Sequence, residues 1–467
     1  MEDVSGTVER RMEKQTRLPR VNTGEHGSAQ GKENMKEFQA CAKEMLDFID
    51  RSPSCYHTIA NAVEILKARG FRELKEKEDW DLSRGEGFYV IRGDSSLIAF
   101  RLPTESGKWA APQGFHIVAS HSDSPAFQVK EAPEMAVEEH YLKLNTEKYG
   151  GMILSTWMDR ALSIAGRVAV QETAGVVTKL VNIDSDLLVI PNLAIHMNRD
   201  MNKGTEYNPQ VDMLPLYADC SQGKKENVLL DRIARQLGVQ RESILGQDLY
   251  LYVREKGHIL GENGEFVLSP RLDDLQCVFA SMKAFSESRP KHYINVCAIF
   301  DNEEVGSGTR QGADSTFLED VLWRTAECLG ANHAEYLRMV AGSFLISADN
   351  AHGVHPNHPE KADPTNRPYL NGGVVIKYSG SRKYTTDAVS GARIRELCRK
   401  ADVPCQTYAN RSDVAGGTTL GHISTAHVSM ETADIGLAQL AMHSAVETAG
   451  TMDTKYAVDM MKMFYKD

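Results

Sequence analysis

The chain has 467 residues, of which 42% are hydrophobic and 25% charged, and carries a formal net charge of −11. That length exceeds one ordinary domain, and the balance is that of a water-soluble globular protein with a sizeable core. The acidic surplus argues against nucleic acid or an anionic membrane as partner, and no apolar run approaches the roughly 20 residues that span a bilayer.

Residues 1–34 are rich in Glu, Arg, Lys, Gly, Ser and Asn, with sparse aliphatic residues and no period, and are expected to be a disordered tail. The start Met1-Glu2-Asp3-Val4 has no apolar core of the kind a secretory signal needs, so a cytoplasmic location is expected. From Met35 onward Phe38, Ala42, Met45, Leu46 and Ile49 recur at helical spacing, and after Ser52-Pro53-Ser54 a second helix runs to Gly70. Residues 88–92 and 96–101 read as a hairpin, and 115–120 as a short strand ending at His121.

Between about 127 and 262 the pattern changes to many short extended runs, such as 176–183 and 186–190, with one helix near 228–237. From 268 onward helices alternate with apolar strands: helices at 275–285, 317–329, 392–400 and 435–448, strands at 294–300, 343–347 and 374–378. That alternation predicts an α/β fold, a mixed β-sheet flanked by helices, interrupted by a β-rich insert of roughly 130 residues. The eight cysteines are scattered with no C-x-x-C pair, which supports neither a disulfide framework nor a zinc ribbon.

Chemistry-bearing residues cluster where strands end. His121 and Asp123 follow 115–120, Asp301-Asn302-Glu303-Glu304 follow 294–300, and Asp349 follows 344–347. In open α/β sheets the carboxyl ends of strands are where ligands bind. Asp273 stands at a helix start and His443 inside the helix expected at 435–448. Oxygen donors with some nitrogen and no sulfur suit zinc, manganese or cobalt in a hydrolytic site. Adjacent carboxylates leaving a strand point in different directions, so one of Glu303 and Glu304 can hold a metal while the other moves a proton. Each residue also has an ordinary reading: Asp273 with Asp274 as a helix cap, His443 as a core or surface histidine, Glu303-Glu304 as a solvated pair. His352, His355 and His358 form an H-x-x-H-x-x-H string, but Pro356 and Pro359 keep the three off one helix face.

Six blocks in order carry a family resemblance: Ser120-His121-Ser122-Asp123-Ser124-Pro125, Thr156-Trp157-Met158-Asp159-Arg160, Ser269-Pro270-Arg271-Leu272-Asp273-Asp274, Asp301-Asn302-Glu303-Glu304-Val305-Gly306-Ser307, Ser347-Ala348-Asp349-Asn350-Ala351-His352 and Ala441-Met442-His443-Ser444. Together they resemble the M18 aminopeptidases, the family of aspartyl aminopeptidase. The resemblance implies a zinc-exopeptidase-like catalytic domain in residues 35–126 and 263–467, and an oligomerisation domain in 127–262. It implies two divalent ions, usually zinc, with manganese and cobalt as alternatives. Asp273 would bridge them, His121 and Asp349 would complete one site, and Glu304 and His443 the other. Glu303 would be the general base and Asp123 would orient the His121 imidazole.

The substrates implied are peptides, trimmed at acidic amino termini. Lys377 and Tyr384 would help bind the first side chain, His352 would face the substrate, and His196 would reach the site of a neighbouring subunit. The assembly implied is a tetrahedral dodecamer built from dimers. Asn350 and Met158 depart from what many relatives carry at these positions, and some family members prefer neutral or apolar first residues, which stays open as the alternative.

Overall fold

The computed structural model describes residues 29–83, 85–104 and 113–466. Three apolar runs decide the architecture. Phe115–His121, Ile294–Phe300 and Phe344–Ala348 are buried along their whole length, as strands are when helices cover both faces of a parallel sheet. Ile294–Phe300 pairs parallel with Phe115–His121, which pairs parallel with Phe344–Ala348, which pairs parallel with Glu431–Gly436. Antiparallel strands Ser96–Arg101 and Gly87–Arg92 extend one side. Val374–Tyr378, antiparallel to Glu431–Gly436, and then Cys405–Ala409 extend the other. With Arg72–Glu73 at one edge, the mixed sheet has nine strands.

Strand side chains alternate between faces, and here both alternate sets are apolar. Val118, Cys297, Ile299 and Ile346 pack into a layer formed by helices Ala29–Asp50, Leu272–Glu287, Ala388–Ala401 and Asp453–Phe464. Ile117, Ala119, Val296, Ala298 and Leu345 pack into the opposite layer, under Phe317–Cys328, His333–Ala341 and Leu420–His427. Among the described residues no helix is long and apolar enough to cross a membrane.

Two further sheets complete the fold. Six antiparallel strands, from Ala126–Val137 to Ile244–Val253, form one sheet around a separate core that includes Leu162, Ile164, Leu249 and Leu251. A five-stranded sheet joins His258–Leu260, Phe266–Ser269, Glu447–Gly450, Ala438–Leu440 and Ala351–His352.

The structure departs from the expected elements in several places. The first helix begins at Ala29, before Met35, and residues 1–28 of the expected tail lie outside the described residues. Helices His333–Ala341, Leu420–His427 and Asp453–Phe464 were not anticipated. The helix expected at 435–448 is absent: the segment forms the end of Glu431–Gly436, then Ala438–Leu440, a turn, and the start of Glu447–Gly450. Its Ala, Leu and Met content favours helix, but pairing with Phe266–Ser269 and Ala351–His352 overrides that preference.

His116 shows the cost of a polar ring in this core. It lies between Tyr293 and Phe464, ring centroids 3.7 and 4.4 Å away, and its Nδ1–H donates to the Phe464 carbonyl at 3.1 Å. Burial pushes its pKa down to about 3, with Arg393 acting in the same direction. Between the ordinary histidine pKa and about 3 the unfolded chain therefore binds a proton that the folded chain refuses. The corresponding stability is present above that window and is lost as pH falls through it. Relative to His116→Gln, the wild type should lose about 1 kcal/mol per pH unit between pH 6 and 4.5, read from denaturant unfolding.

Candidate metal centre

The pairing of Phe300 with His121 sets two strand ends level. The chain leaving one strand at His121–Asp123 thereby meets the chain leaving the other at Asp301–Glu304. Asp123 ties them together. Its Oδ1 accepts the Glu303 N–H at 3.2 Å, and its Oδ2 accepts the Glu304 N–H at 3.2 Å and the Tyr149 hydroxyl at 2.7 Å. These bonds hold Glu303–Val305 in one 3₁₀ turn, with Asn302 and Gly306 in left-handed backbone on either side.

His121 is oriented from behind. Its Nδ1 lies 3.1 Å from the Asp123 carbonyl and 3.3 Å from Asp123 Oδ1. A carbonyl can only accept, so Nδ1 carries a proton and Nε2 is the nitrogen turned to the centre, where the surrounding carboxylates favour a second proton and a bound cation would take the lone pair in its place. Nε2 faces Asp273 Oδ1 at 3.5 Å and Asp349 Oδ1 at 3.9 Å. The other oxygen of Asp273, Oδ2, lies 3.6 Å from His443 Nε2, which is 3.4 Å from Glu304 Oε2. Asp273 thus offers one oxygen to each of two imidazoles.

The donors form two overlapping groups, His121 with Asp273, Asp274 and Asp349, and Asp273 with Glu304 and His443, their ligand atoms within 4.8 Å of one another. Glu303 joins His121 and Glu304 in a third group of the same span. Most of these separations are longer than hydrogen bonds. They fit an ion instead: tetrahedral donors about 2.1 Å from zinc stand about 3.4 Å apart. Asp273 Oδ1, Asp274 Oδ1 and Glu304 Oε1 are buried without a hydrogen-bond partner, as oxygens awaiting a cation would be.

The electrostatics agree. Burial raises the Glu304 carboxyl well above its ordinary value, and Asp273 adds to the effect. Burial also lifts Glu303 to about 8, partly offset by His121 and reinforced by Asp349, Asp123 and Asp273. Burial would raise Asp273 too, but the two imidazoles beside it pull its carboxyl low. So many buried acids against His121, His443 and Lys377 leave negative charge uncompensated.

Lys377 is no surface lysine. It is buried, 2% exposed, with Nζ 3.4 Å from Asp349 Oδ2 and 5.4 Å from the Tyr384 ring centroid. Burial opposes its charge, yet Asp349 and its neighbours hold the ammonium above the ordinary lysine value. Gly436 makes this approach possible, since a Cβ there would lie 2.1 Å from the Asp349 carbonyl and 3.0 Å from Lys377 Cε.

Lys377, Tyr384 and His352 line the same cleft of about 830 Å³ as Glu303, Asp349 and His443, together with Tyr408, Met442 and residues 417–419. His196 does not line it; the residue is exposed on a segment of the inserted unit. Among the described residues His355 and His358 enter no group of potential metal ligands.

Two features escaped the sequence. His443 lies in a turn, with φ +65°, and not in a helix. Glu447, buried, is what holds that turn to the centre: its Oε1 accepts the His443 N–H at 2.7 Å and its Oε2 the Asp273 N–H at 3.0 Å. A lone acid in an otherwise small and apolar strand, Glu447-Thr448-Ala449-Gly450, was the available signal.

Buried oxygen and imidazole donors at the carboxyl ends of parallel strands, with a further carboxylate alongside, define a metal-dependent hydrolase. Residues 48–465 match the family described as aminopeptidase I zinc metalloprotease (M18). A probable M18 family aminopeptidase 2 of Clostridium acetobutylicum is 48% identical over 434 residues, covering 92% of this chain and 100% of that protein. A protein of the same description from Pseudomonas aeruginosa is 39% identical, covering 90% and 97%. Among solved structures, the Ape4 and Nbr1 complex superposes with a TM-score of 0.88 at 36% identity, over 92% of this chain and 86% of that one. The S. cerevisiae mApe1 dodecamer does so with a TM-score of 0.81 at 28% identity, over 92% and 97%. The chain belongs to the M18 family and is a metalloaminopeptidase.

Proposed function

We propose that this aminopeptidase uses two divalent ions, most simply zinc, to remove acidic first residues from peptides. The observation that carries the reading is Asp273, whose two oxygens face different imidazoles. In this assignment Asp273 would serve both ions, His121 and Asp349 would complete one site, and Glu304 and His443 the other. When bound, the ions supply positive charge that acidifies a water and polarises the scissile carbonyl.

The chain's own residues do the rest. Glu303 accepts the proton of the attacking water and delivers it to the leaving amine. Asp123 fixes Glu303 through its backbone N–H and fixes the His121 ring through Nδ1. His352, on the cleft wall, stabilises charge developing on the carbonyl oxygen. The surplus of carboxylates suits the free α-ammonium of a peptide, which is why only amino termini would be trimmed.

Lys377 and Tyr384 are the candidates for reading an acidic first side chain. A second reading, preference for neutral or apolar residues, is favoured by one observation: Lys377 is already paired with Asp349. The inserted unit, residues 127–262, is the natural site of self-assembly, in line with the dodecameric mApe1. Leu193, Ile195 and Met197 are exposed on it around His196, which supports a role for His196 in the cleft of a neighbouring subunit within a tetrahedral dodecamer built from dimers.

Replacing Glu303 by Gln should lower turnover by about 10²- to 10⁴-fold while bound metal, read by elemental analysis, is unchanged. Near-normal turnover would remove Glu303 from the role of base. Across a panel of aminoacyl-nitroanilides, kcat/KM for Asp and Glu should exceed that for Leu by about tenfold or more, the worth of one modest charge interaction. The reverse order would establish the second reading.

A further inference from the structure

The two halves of the metal centre are built differently. His121 ends a central strand, and the N–H of Asp349 donates to the Ile435 carbonyl at 3.1 Å, so both are held by the nine-stranded sheet. His443 stands in an exposed-side turn with left-handed backbone at φ +65°. A non-glycine residue is disfavoured there and persists only where its surroundings hold it.

Part of that hold comes from the inserted unit. Leaving the strand Tyr141–Tyr149, the chain runs along the His443 turn. The Ile153 N–H donates to the His443 carbonyl at 3.0 Å, and the Ala445 N–H donates to Thr156 Oγ1 at 2.9 Å. The His443 ring packs against Gly151, where a Cβ would stand 3.9 Å from His443 Nδ1. Gly150, at φ +78°, lies so close to Glu304 that a Cβ on it would stand 3.1 Å from the Glu304 Cβ. Tyr149 donates to Asp123 and accepts from Asn302 Nδ2 at 2.8 Å, securing the near end of the segment. Apart from the Tyr149 bond, whose partner Asp123 also orients His121, these contacts serve Glu304, His443 or their supports, and the groups that face His121 Nε2 and Asp349 come from elsewhere.

We infer that residues 149–156 of the inserted unit act as a clasp that assembles the Glu304–His443 half of the centre, so that this half takes up its ion only when the insert is seated on the catalytic unit. Gly150 and Thr156 are then positioning residues: they touch neither substrate nor reacting atoms, and they act through Glu304 and His443. The inference rests on the two-ion reading. Its consequence is a centre of unequal halves, one set by the sheet and one conditional on the insert.

Zinc titration of the full chain, freed of metal and followed by calorimetry against a competing chelator, separates the possibilities. The wild type should bind two ions. Gly150→Ala, which forces a Cβ toward Glu304, should weaken the second ion by about tenfold to a hundredfold and leave the first within about twofold. Thr156→Val, which removes the acceptor for Ala445, should shift the second ion in the same direction, and Thr156→Ser should restore it. The unchanged first ion reports that the variants are folded. Two ions bound with wild-type affinities in both Gly150→Ala and Thr156→Val overturn the clasp, as does equal loss of both ions. A wild type that binds one ion contradicts the two-ion reading itself, and the clasp falls with it.

Discussion

The organising constraint is electrostatic: a crowd of buried carboxylates with too little positive charge among them. Asp273, Glu303, Glu304 and Asp349 line one cleft, Asp274 is buried beside them, and three of the five carboxylates have an oxygen with no hydrogen-bond donor. Isolated buried charge on this scale is prohibitively costly unless it is neutralised by protons or cations. The fold concentrates it by ending three buried parallel strands side by side, so that the chain leaving each of the three delivers a candidate ligand to the same place. Metal-dependent chemistry follows from that placement and from donor spacings that suit an ion better than a hydrogen bond.

Around this centre the chain arranges second partners that fix orientation. Asp123 holds the turn carrying Glu303 and Glu304, and Glu447 holds both Asp273 and His443 by their backbone N–H groups. Lys377 takes the oxygen of Asp349 that His121 leaves free. A donor set supported in this way loses little freedom when an ion arrives, which is the usual route to tight binding. The inserted sheet, at first sight a separate module, supplies part of this support through residues 149–156.

Much of the central sheet was legible because its strands are continuous apolar runs of the right length, with charged residues switching on at their ends. Phe115–His121 and Ile294–Phe300 are of this kind. The candidates His121, Glu303, Glu304 and Asp349 were visible for the same reason, Asp273 stood out at a helix start, and the structure brings the five together; the division of roles among them came from the family blocks and not from spacing. What was not legible depends on contacts distant in sequence. Ala438–Leu440 and Glu447–Gly450 lie in a segment with helix-favouring side chains and still form strands, because Ala351–His352 pairs with the first and Phe266–Ser269 with the second. Glu447, inside the segment that reads as a helix at 435–448, shows no role until Asp273 is seen beside it. Gly150 and Gly151 carry no signal in the sequence, and their part shows only where Glu304 and His443 lie against them.

The account turns on Asp273 holding an ion at each oxygen. Anomalous diffraction at the zinc edge, from crystals grown with zinc, tests this directly. Two peaks about 3.5–4 Å apart, one beside His121 and Asp349 and one beside Glu304 and His443, are expected. A single peak at full zinc occupancy, or peaks away from Asp273, would contradict it.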